Sequence, residues 1–261
     1  MGGFHLEPQD LYRRIGTPGA PRIVDVRRRA VFDADDRVLP GASWLDHRET
    51  DRWSLNAGEE VVIYCAHGHN VSQMACAVLR DRGVRAWTLA GGIDGWKDLG
   101  LPTVKRFDAP HGWITRERPK VDRIACPWFI RRFVDPRAPI LFVAADQVEA
   151  VAEESGAVAF DIPGVDFSHD GEKCSFDAFL TRFGVDDPAL LGLGAIVRGA
   201  DTGRPDLAPE CAGLLAASLG VSAATDDDHE SLRLGFVVYD ALYAWRRHAL
   251  AEKHGWPPVA S

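Results

Sequence analysis

No stretch of this sequence is apolar over the ~20 residues that a helix needs to cross a bilayer. The opening residues Met1 to Asp10 carry Glu7 and Asp10 where a secretory signal needs an apolar core. Neither a span nor a leader is expected, and the chain reads as a soluble cytoplasmic protein. Low-complexity tracts are also missing. With 46% apolar and 26% charged residues, the 261-residue chain can bury one large core or two ordinary ones. Cysteine is scarce: Cys65, Cys76, Cys126, Cys174 and Cys211 are odd in number, widely spaced and without a C-x-x-C pair. That excludes a disulfide framework or a zinc site built of cysteines alone, and leaves each thiol either a core residue or a chemical one.

An excess of positive charge is lacking as well. The net charge is −8, and all of it lies beyond residue 107, the part before being nearly neutral. Inside that acidic half, residues 113–137 hold seven basic groups against three acidic ones. So compact a basic stretch suits a small anion better than a nucleic-acid backbone, which needs a broader basic surface.

The segment Arg22 to Val26 predicts a buried strand, as does Val61 to Tyr64. Val71 to Arg82 predicts a helix, with Met74, Ala77 and Val78 on its apolar stripe and Gly83 as its stop. A further strand is expected at Val84 to Leu89. Strands alternating with helices predict βα units around a largely parallel sheet. The run Gly100 to Pro110 breaks the pattern and places a boundary near residue 108, so domains of 1–107 and 108–261 are expected. The second half predicts short strands near 112–115, 140–144 and 158–162. Helices are expected near 147–154, 175–183, 188–197, 207–219 and 227–250, the last with Leu232, Phe236, Val237, Leu242 and Tyr243 on its apolar face.

Cys65 ends a predicted strand, and Ala66-His67-Gly68-His69-Asn70-Val71-Ser72 leads from it into a helix. A loop wrapped at a helix N-terminus gathers main-chain N–H groups around one spot, and such donors favour a thiolate. A thiolate held there can take a sulfane sulfur, carry it as a persulfide and pass it on. Residues 66–72 are then the substrate-binding loop, with Gly68 allowing the tight path and His67 and His69 adding donors. The alternative is an inert core cysteine. Cys76, Cys126 and Cys211 read as core residues.

Residues 5–104 resemble the rhodanese family. The resemblance rests on Ile23-Val-Asp-Val-Arg27, Leu39-Pro-Gly-Ala42, Val62-Ile-Tyr-Cys65 with Gly68, Leu89-Ala-Gly-Gly-Ile-Asp-Gly-Trp96 and Gly100-Leu-Pro102. It implies a parallel sheet flanked by helices, with Cys65 as the sulfur-carrying nucleophile and no cofactor required. It also implies that Asp25 and Arg27 brace the first strand, that Gly91 and Gly92 shape the turn beside the site, and that Trp96 packs behind it. Many rhodanese loops place an arginine five residues after the cysteine, where this chain has Asn70. Phosphate-ester chemistry wants such a cation, so the substitution favours sulfur transfer.

In the second half, Arg116, Arg118, Lys120 and Arg123 are candidate oxyanion ligands, because guanidinium forks bind tetrahedral anions in pairs of hydrogen bonds. The alternative is a charged surface partly paired with Glu117 and Asp122. His169, Asp201 and His229 are candidate metal ligands, a His/carboxylate set that suits manganese, iron or zinc. The run Asp226 to Asp228 has the alternative role of capping the last helix.

Residues 112–248 resemble the C-terminal domain of the chromate-resistance ChrB family. The matching motifs are Thr115-Arg-Glu-Arg-Pro-Lys120, Asp122-Arg-Ile-Ala-Cys-Pro-Trp128, Asp161-Ile-Pro-Gly-Val165, Val197-Arg-Gly-Ala-Asp201 and Tyr239-Asp-Ala-Leu-Tyr-Ala-Trp245. This implies a role in chromate resistance, as sensor, regulator or accessory enzyme. The expected fold is α/β, a rhodanese-like sheet followed by a mainly helical α+β domain. The expected activity is sulfur transfer from a small donor to a thiol, with chromate or another oxyanion as a further ligand. Two other readings are a chromate-responsive regulator with an idle rhodanese domain and a metal- and thiol-dependent oxyanion reductase. Neither a membrane nor nucleic acid is an expected partner.

Overall fold

The computed structural model describes residues 4–109 and 111–252. Its first half is built on a five-stranded parallel sheet. The strands are β1 (His5–Leu6), β2 (Arg22–Asp25), β4 (Ala42–Trp44), β5 (Glu60–Tyr64) and β6 (Arg85–Leu89), in the order β1-β6-β5-β2-β4. A short antiparallel pair, β3 (Arg37–Val38) and β7 (Val104–Lys105), lies apart from it. The central strand β5 is apolar along most of its length because both of its faces are covered.

Strand parity decides where each residue goes. Ile23, Val62, Tyr64 and Leu89 face one layer with α1 (Pro8–Arg14) and α4 (Gly92–Asp98). Val24, Val61, Ile63 and Ala86 face the other, against α3 (Val71–Asp81). Cys65 continues the Val61–Ile63 parity, which sends its side chain under the start of α3. The buried face of α3 is Ser72, Ala75, Cys76 and Leu79. Met74, Ala77 and Val78, expected to face the core, point outward instead, Met74 being 59% exposed. The helix has apolar residues on both sides, and the side with Ala75, Cys76 and Leu79 is the one turned to the sheet.

The remaining expectations for this half follow the resemblance. Arg27 donates from Nε to Asp25 Oδ2 at 2.8 Å and pairs with Asp35, while its Nη2 donates to the Arg37 carbonyl. Trp96 is fully buried and donates its indole N–H to the Pro102 carbonyl at 2.9 Å.

The second half has a three-stranded parallel sheet in the order β10-β8-β9, from β8 (Trp113–Arg116), β9 (Ile140–Val143) and β10 (Val158–Ala159). Around it lie α5 (Asp122–Phe129), α6 (Val148–Ser155), α7 (Ser175–Arg182), α8 (Pro188–Asp201), α9 (Cys211–Ala224) and α10 (Asp228–His248). The strand expected over 158–162 is cut short, because Asp161 turns out of it with φ +54°. The helix expected to start at Leu207 starts at Cys211, after a tight turn at Pro205–Leu207. The α5 helix was not anticipated. It holds Pro127 and runs into a wide turn at Ile130–Val134. On α10, Val237 faces outward, while Leu232, Phe236 and Tyr243 are buried.

The halves share one core. A single apolar cluster contains Leu11, Ile15 and Trp96 from the first and Trp113, Phe129, Phe133 and Tyr243 from the second. Polar bonds close the seam. Asp187 caps α8 and accepts from the hydroxyls of Tyr12 and Tyr243, at 3.2 and 2.8 Å. Arg247 donates to the carbonyls of Tyr12 and Ile15. Among the described residues no helix is long and apolar enough to cross a membrane.

Candidate functional sites

Two cavities, one in each half, collect the chemistry-bearing residues, each of about 260 Å³. The four non-glycine residues with positive φ among those described are Asn70, Arg118, Val121 and Asp161. Asn70, Val121 and Asp161 line one or other cavity. Backbone held in that region is costly and persists where the surrounding fold enforces it, as at working sites.

The first cavity is lined by Arg27, Arg28, Val31, Cys65, Ala66, His67, His69, Asn70 and Val71. Cys65 is 6% exposed at its floor. Its Sγ lies 3.2 Å from the His69 carbonyl oxygen, to which the thiol donates, and 3.3 Å from the Ser72 hydroxyl. The expected gathering of main-chain N–H groups around the sulfur is not seen: among the described residues no main-chain N–H donates to Sγ. The N–H groups of residues 67–71 have no main-chain acceptor among the described residues.

The loop is pinned from below by α4. Ile93 N–H donates to the Cys65 carbonyl and Asp94 N–H to the Ala66 carbonyl, both at 3.0 Å. Gly68 and Gly92 permit this approach: a Cβ on Gly68 would lie 2.5 Å from the Leu89 carbonyl oxygen, and one on Gly92 2.3 Å from that of Cys65. Asp94 also holds Nδ1 of His67 at 2.8 Å. Ser72 is buried and Gly68 lies behind the wall, so the loop presents its first, second, fourth and fifth residues after the cysteine, with Val71, to the cavity. Cys76 is buried, and burial pushes its thiol up. The thiols of Cys126 and Cys211 are buried as well.

The second cavity gathers residues from remote segments. It is lined by Arg116, Lys120, Asp122, Arg123, Asp161, His169 and Asp201, with Val121, Ala200, Leu215 and Leu219. Asp122 opens α5, Asp201 closes α8, and His169 sits on the loop before α7. His169 Nε2 lies 3.2 Å from Asp122 Oδ2, 3.2 Å from Asp201 Oδ2 and 3.4 Å from Asp161 Oδ1. Asp161 is answered on its other oxygen by Arg116 at 2.7 Å and Arg123 at 3.2 Å, and accepts from the Ser175 hydroxyl at 2.7 Å. Asp122 accepts from Ser175 N–H at 3.2 Å.

So many carboxylates in little water perturb one another. The hydrogen bond that His169 donates to Asp122 is the largest influence on the imidazole and carries it from 6.5 to about 9. Burial, followed by the charge of Asp122, raises Asp201 from 3.8 to about 7. Burial and the same neighbour also raise Asp161.

Of the expected oxyanion ligands, Arg116, Lys120 and Arg123 reach this cavity. Arg118 does not: it pairs with Asp226, and its Nη2 and N–H donate to the Ser222 carbonyl and the Asp228 carboxylate. Of the expected metal ligands, His169 and Asp201 come together. His229 does not join them, because the first turn of α10 sets its ring edge-on to Phe142, 5.6 Å between centroids. Asp227 caps that helix by accepting from His229 and Glu230 N–H. Asp122 and Asp161 were not anticipated as site residues. Asp122 read as a salt-bridge partner for its basic neighbours, and the signal that marks both is a carboxylate inside an otherwise apolar or basic motif.

Comparison with known proteins separates the same two regions. Residues 113–246 match the family described as ChrB, C-terminal domain, and residues 7–99 match the family described as Rhodanese-like domain. Protein ChrB of Cupriavidus metallidurans is 37% identical over 133 residues, which are 50% of this chain and 39% of that protein. The chain therefore spans well under half of the curated relative it matches. Among solved structures, a rhodanese-related protein from Thermoplasma volcanium is 25% identical, covering 38% of this chain and 96% of its own, with a TM-score of 0.33. A thiosulfate sulfurtransferase from Pseudomonas aeruginosa is 27% identical, covering 38% of this chain and 19% of its own, with a TM-score of 0.32.

Proposed function

This chain belongs to the ChrB C-terminal domain family and carries a rhodanese-like domain ahead of it, and from that premise we propose that it is a sulfurtransferase serving chromate resistance. The observation that carries this reading is Cys65 in a cavity of about 260 Å³ lined by the loop that leads from its strand into α3, whose N–H groups at residues 67–71 have no main-chain acceptor among the described residues.

The thiol gives its proton to water and the thiolate attacks the outer sulfur of a donor such as thiosulfate. The sulfur–sulfur bond of the donor breaks, sulfite leaves with the electron pair, and Cys65 holds a persulfide. The terminal sulfur projects further into the cavity than the resting thiol and carries the negative charge, for which the loop's N–H groups without main-chain acceptors are the candidate donors. Arg28, His67 and His69 border the same space. An acceptor thiolate, or cyanide, attacks the terminal sulfur and Cys65 leaves as thiolate, ready for the next turn. Asn70 leaves the loop without the guanidinium that a phosphoryl transition state requires.

In the second cavity Arg116, Lys120 and Arg123 are the ligands for chromate or another tetrahedral oxyanion. Chromate has the shape and charge of sulfate, so an oxyanion site joined to a sulfur-transfer site lets one protein sense or counter the interference of one with the other. The test is steady-state kinetics with thiosulfate and cyanide. Parallel double-reciprocal lines are expected, as for a substituted-enzyme intermediate, with turnover abolished in Cys65→Ser. A wild-type protein without turnover for thiosulfate or for a persulfide donor refutes the sulfurtransferase reading in favour of an idle rhodanese domain. Sulfate serves as the redox-inert probe of the second cavity. Its calorimetric binding is expected to fall about tenfold or more in Arg123→Ala, one charge-assisted contact of ~1.5–3 kcal/mol being lost. Equal binding by the variant refutes the oxyanion site.

A further inference from the structure

Sulfur transfer at Cys65 makes no use of the carboxylate cluster in the second half, and an oxyanion has no use for three carboxylates at its own binding site. Asp122, Asp161 and Asp201 nevertheless surround one imidazole nitrogen, with 3.2 to 3.4 Å from His169 Nε2 to an oxygen of each. That nitrogen holds one proton at most and can satisfy one carboxylate well, not three. The side chains of Asp122 and Asp161 are each only 3% exposed, so water does not make up the difference.

The charges sort the three into two kinds. Asp161 is neutralised from behind by Arg116 and Arg123 and steadied by Ser175. Asp122 and Asp201 have no arginine or lysine within ion-pair distance among the described residues, and their shared cationic neighbour is His169. Two carboxylates and a neutral imidazole sum to the charge that one dication cancels.

The distances agree with that charge. Oxygen and nitrogen ligands about 2.0–2.2 Å from a metal lie roughly 3.0–3.5 Å from each other along the edges of an octahedron or tetrahedron. One ligand atom each from Asp122, His169 and Asp201 all fall within 4.8 Å of one another, and the two edges through His169 are 3.2 Å. We propose that Asp122, His169 and Asp201 bind a divalent cation of the manganese, iron(II) or zinc class. The imidazole selects against magnesium and calcium, which prefer an all-oxygen shell. Asp161 is a positioning residue: one oxygen faces the His169 ring and the other fixes Arg116 and Arg123 at the rim. Three protein ligands leave at least one coordination position free, as in metal sites that take a substrate and unlike closed structural ones. That position opens on the cavity bordered by Arg116 and Lys120, so an entering oxyanion meets the cation and the basic side chains together.

The experiment uses the full chain, stripped with a chelator and dialysed, then incubated separately with manganese(II), zinc(II) and, without oxygen, iron(II). After desalting, bound metal is measured by plasma mass spectrometry in a buffer without sulfate, phosphate or chromate, so the result does not depend on the oxyanion reading. One ion per chain is expected for at least one of the metals. Asp201→Asn and His169→Gln are expected to lower retention by about tenfold or more. His229→Ala and Cys65→Ser are expected to retain the wild-type amount. Circular dichroism melts of the two ligand variants keep loss of metal distinct from loss of fold, and His169→Gln is scored if Asp201→Asn does not fold. A wild-type chain that holds none of the three metals overturns the proposal. So does a folded Asp201→Asn or His169→Gln variant that holds as much as wild type.

Discussion

Replacing Gly92 by alanine tests how the Cys65 loop is built. The new methyl would lie 2.3 Å from the Cys65 carbonyl oxygen, 2.5 Å from that of Ala66 and 2.6 Å from Gly68 N. All three are main-chain atoms, so no side chain can swing aside. The loop must lift from α4, breaking the bonds from Ile93 and Asp94 N–H to the carbonyls of Cys65 and Ala66. At about 1 kcal/mol for each bond and about 1 kcal/mol for a side chain at positive φ, the loss is about 3 kcal/mol. In a chain of this size that corresponds to roughly 6–12 °C in melting temperature. Gly58→Ala is the control. Its φ is +85°, but a Cβ there meets no atom within 4 Å, so only the backbone term of about 1 kcal/mol is expected. Urea unfolding followed by tryptophan fluorescence gives both stabilities, and the thiosulfate–cyanide assay gives the state of the loop. Gly92→Ala is expected to be the less stable by about 2 kcal/mol and to lose most turnover, with Gly58→Ala active. If the two variants are equally stable and equally active, the described contact between loop and α4 is wrong.

Three further outcomes are expected. Asp187→Ala removes the cap of α8 and the acceptor of two tyrosine hydroxyls at the seam. A loss of about 2–4 kcal/mol in urea unfolding is expected, and a loss no larger than that of the exposed Val237→Ser contradicts the shared seam. In chelator-treated protein His169 is raised from 6.5 to about 9, so the folded state holds this proton more tightly than the unfolded one. Its stabilisation is full below pH 6.5 and lost as pH rises through about 9, so the urea midpoint should fall across that window and flatten in His169→Gln. A midpoint that rises there contradicts the assignment. Cys76→Ser should keep turnover while Cys65→Ser abolishes it, because Cys76 faces the sheet from the buried side of α3; equal loss in both would point to a paired-thiol mechanism instead.

Local features were the legible ones. The strand before Cys65, the helix after it and the glycines that let the loop close all lie within a short span, where strand parity and turn chemistry act on neighbours. Parity places Cys65 under α3 once β5 is recognised. The face of α3 was misread because Met74 and Val78 have the spacing of a core stripe, and nothing local says that Ala75 and Leu79 fit the sheet better. The second cavity depends on long-range placement. His229 has the right side chain, but the phase of α10 turns it to Phe142. Asp122 looked like one member of a charged run until α5 formed around Pro127 and put it at a buried helix start. Asp161 joins the cluster after a truncated strand with its backbone at φ +54°, a left-handed turn that the strand-like run around it does not announce.

The most direct measurement is the intact mass of the protein after exposure to thiosulfate or a persulfide donor, with peptide mapping to locate any addition. One extra sulfur atom on the peptide bearing Cys65, removed by cyanide and absent from Cys65→Ser, is the predicted result. An unchanged mass under both donors, or a sulfur carried by another cysteine, contradicts the account.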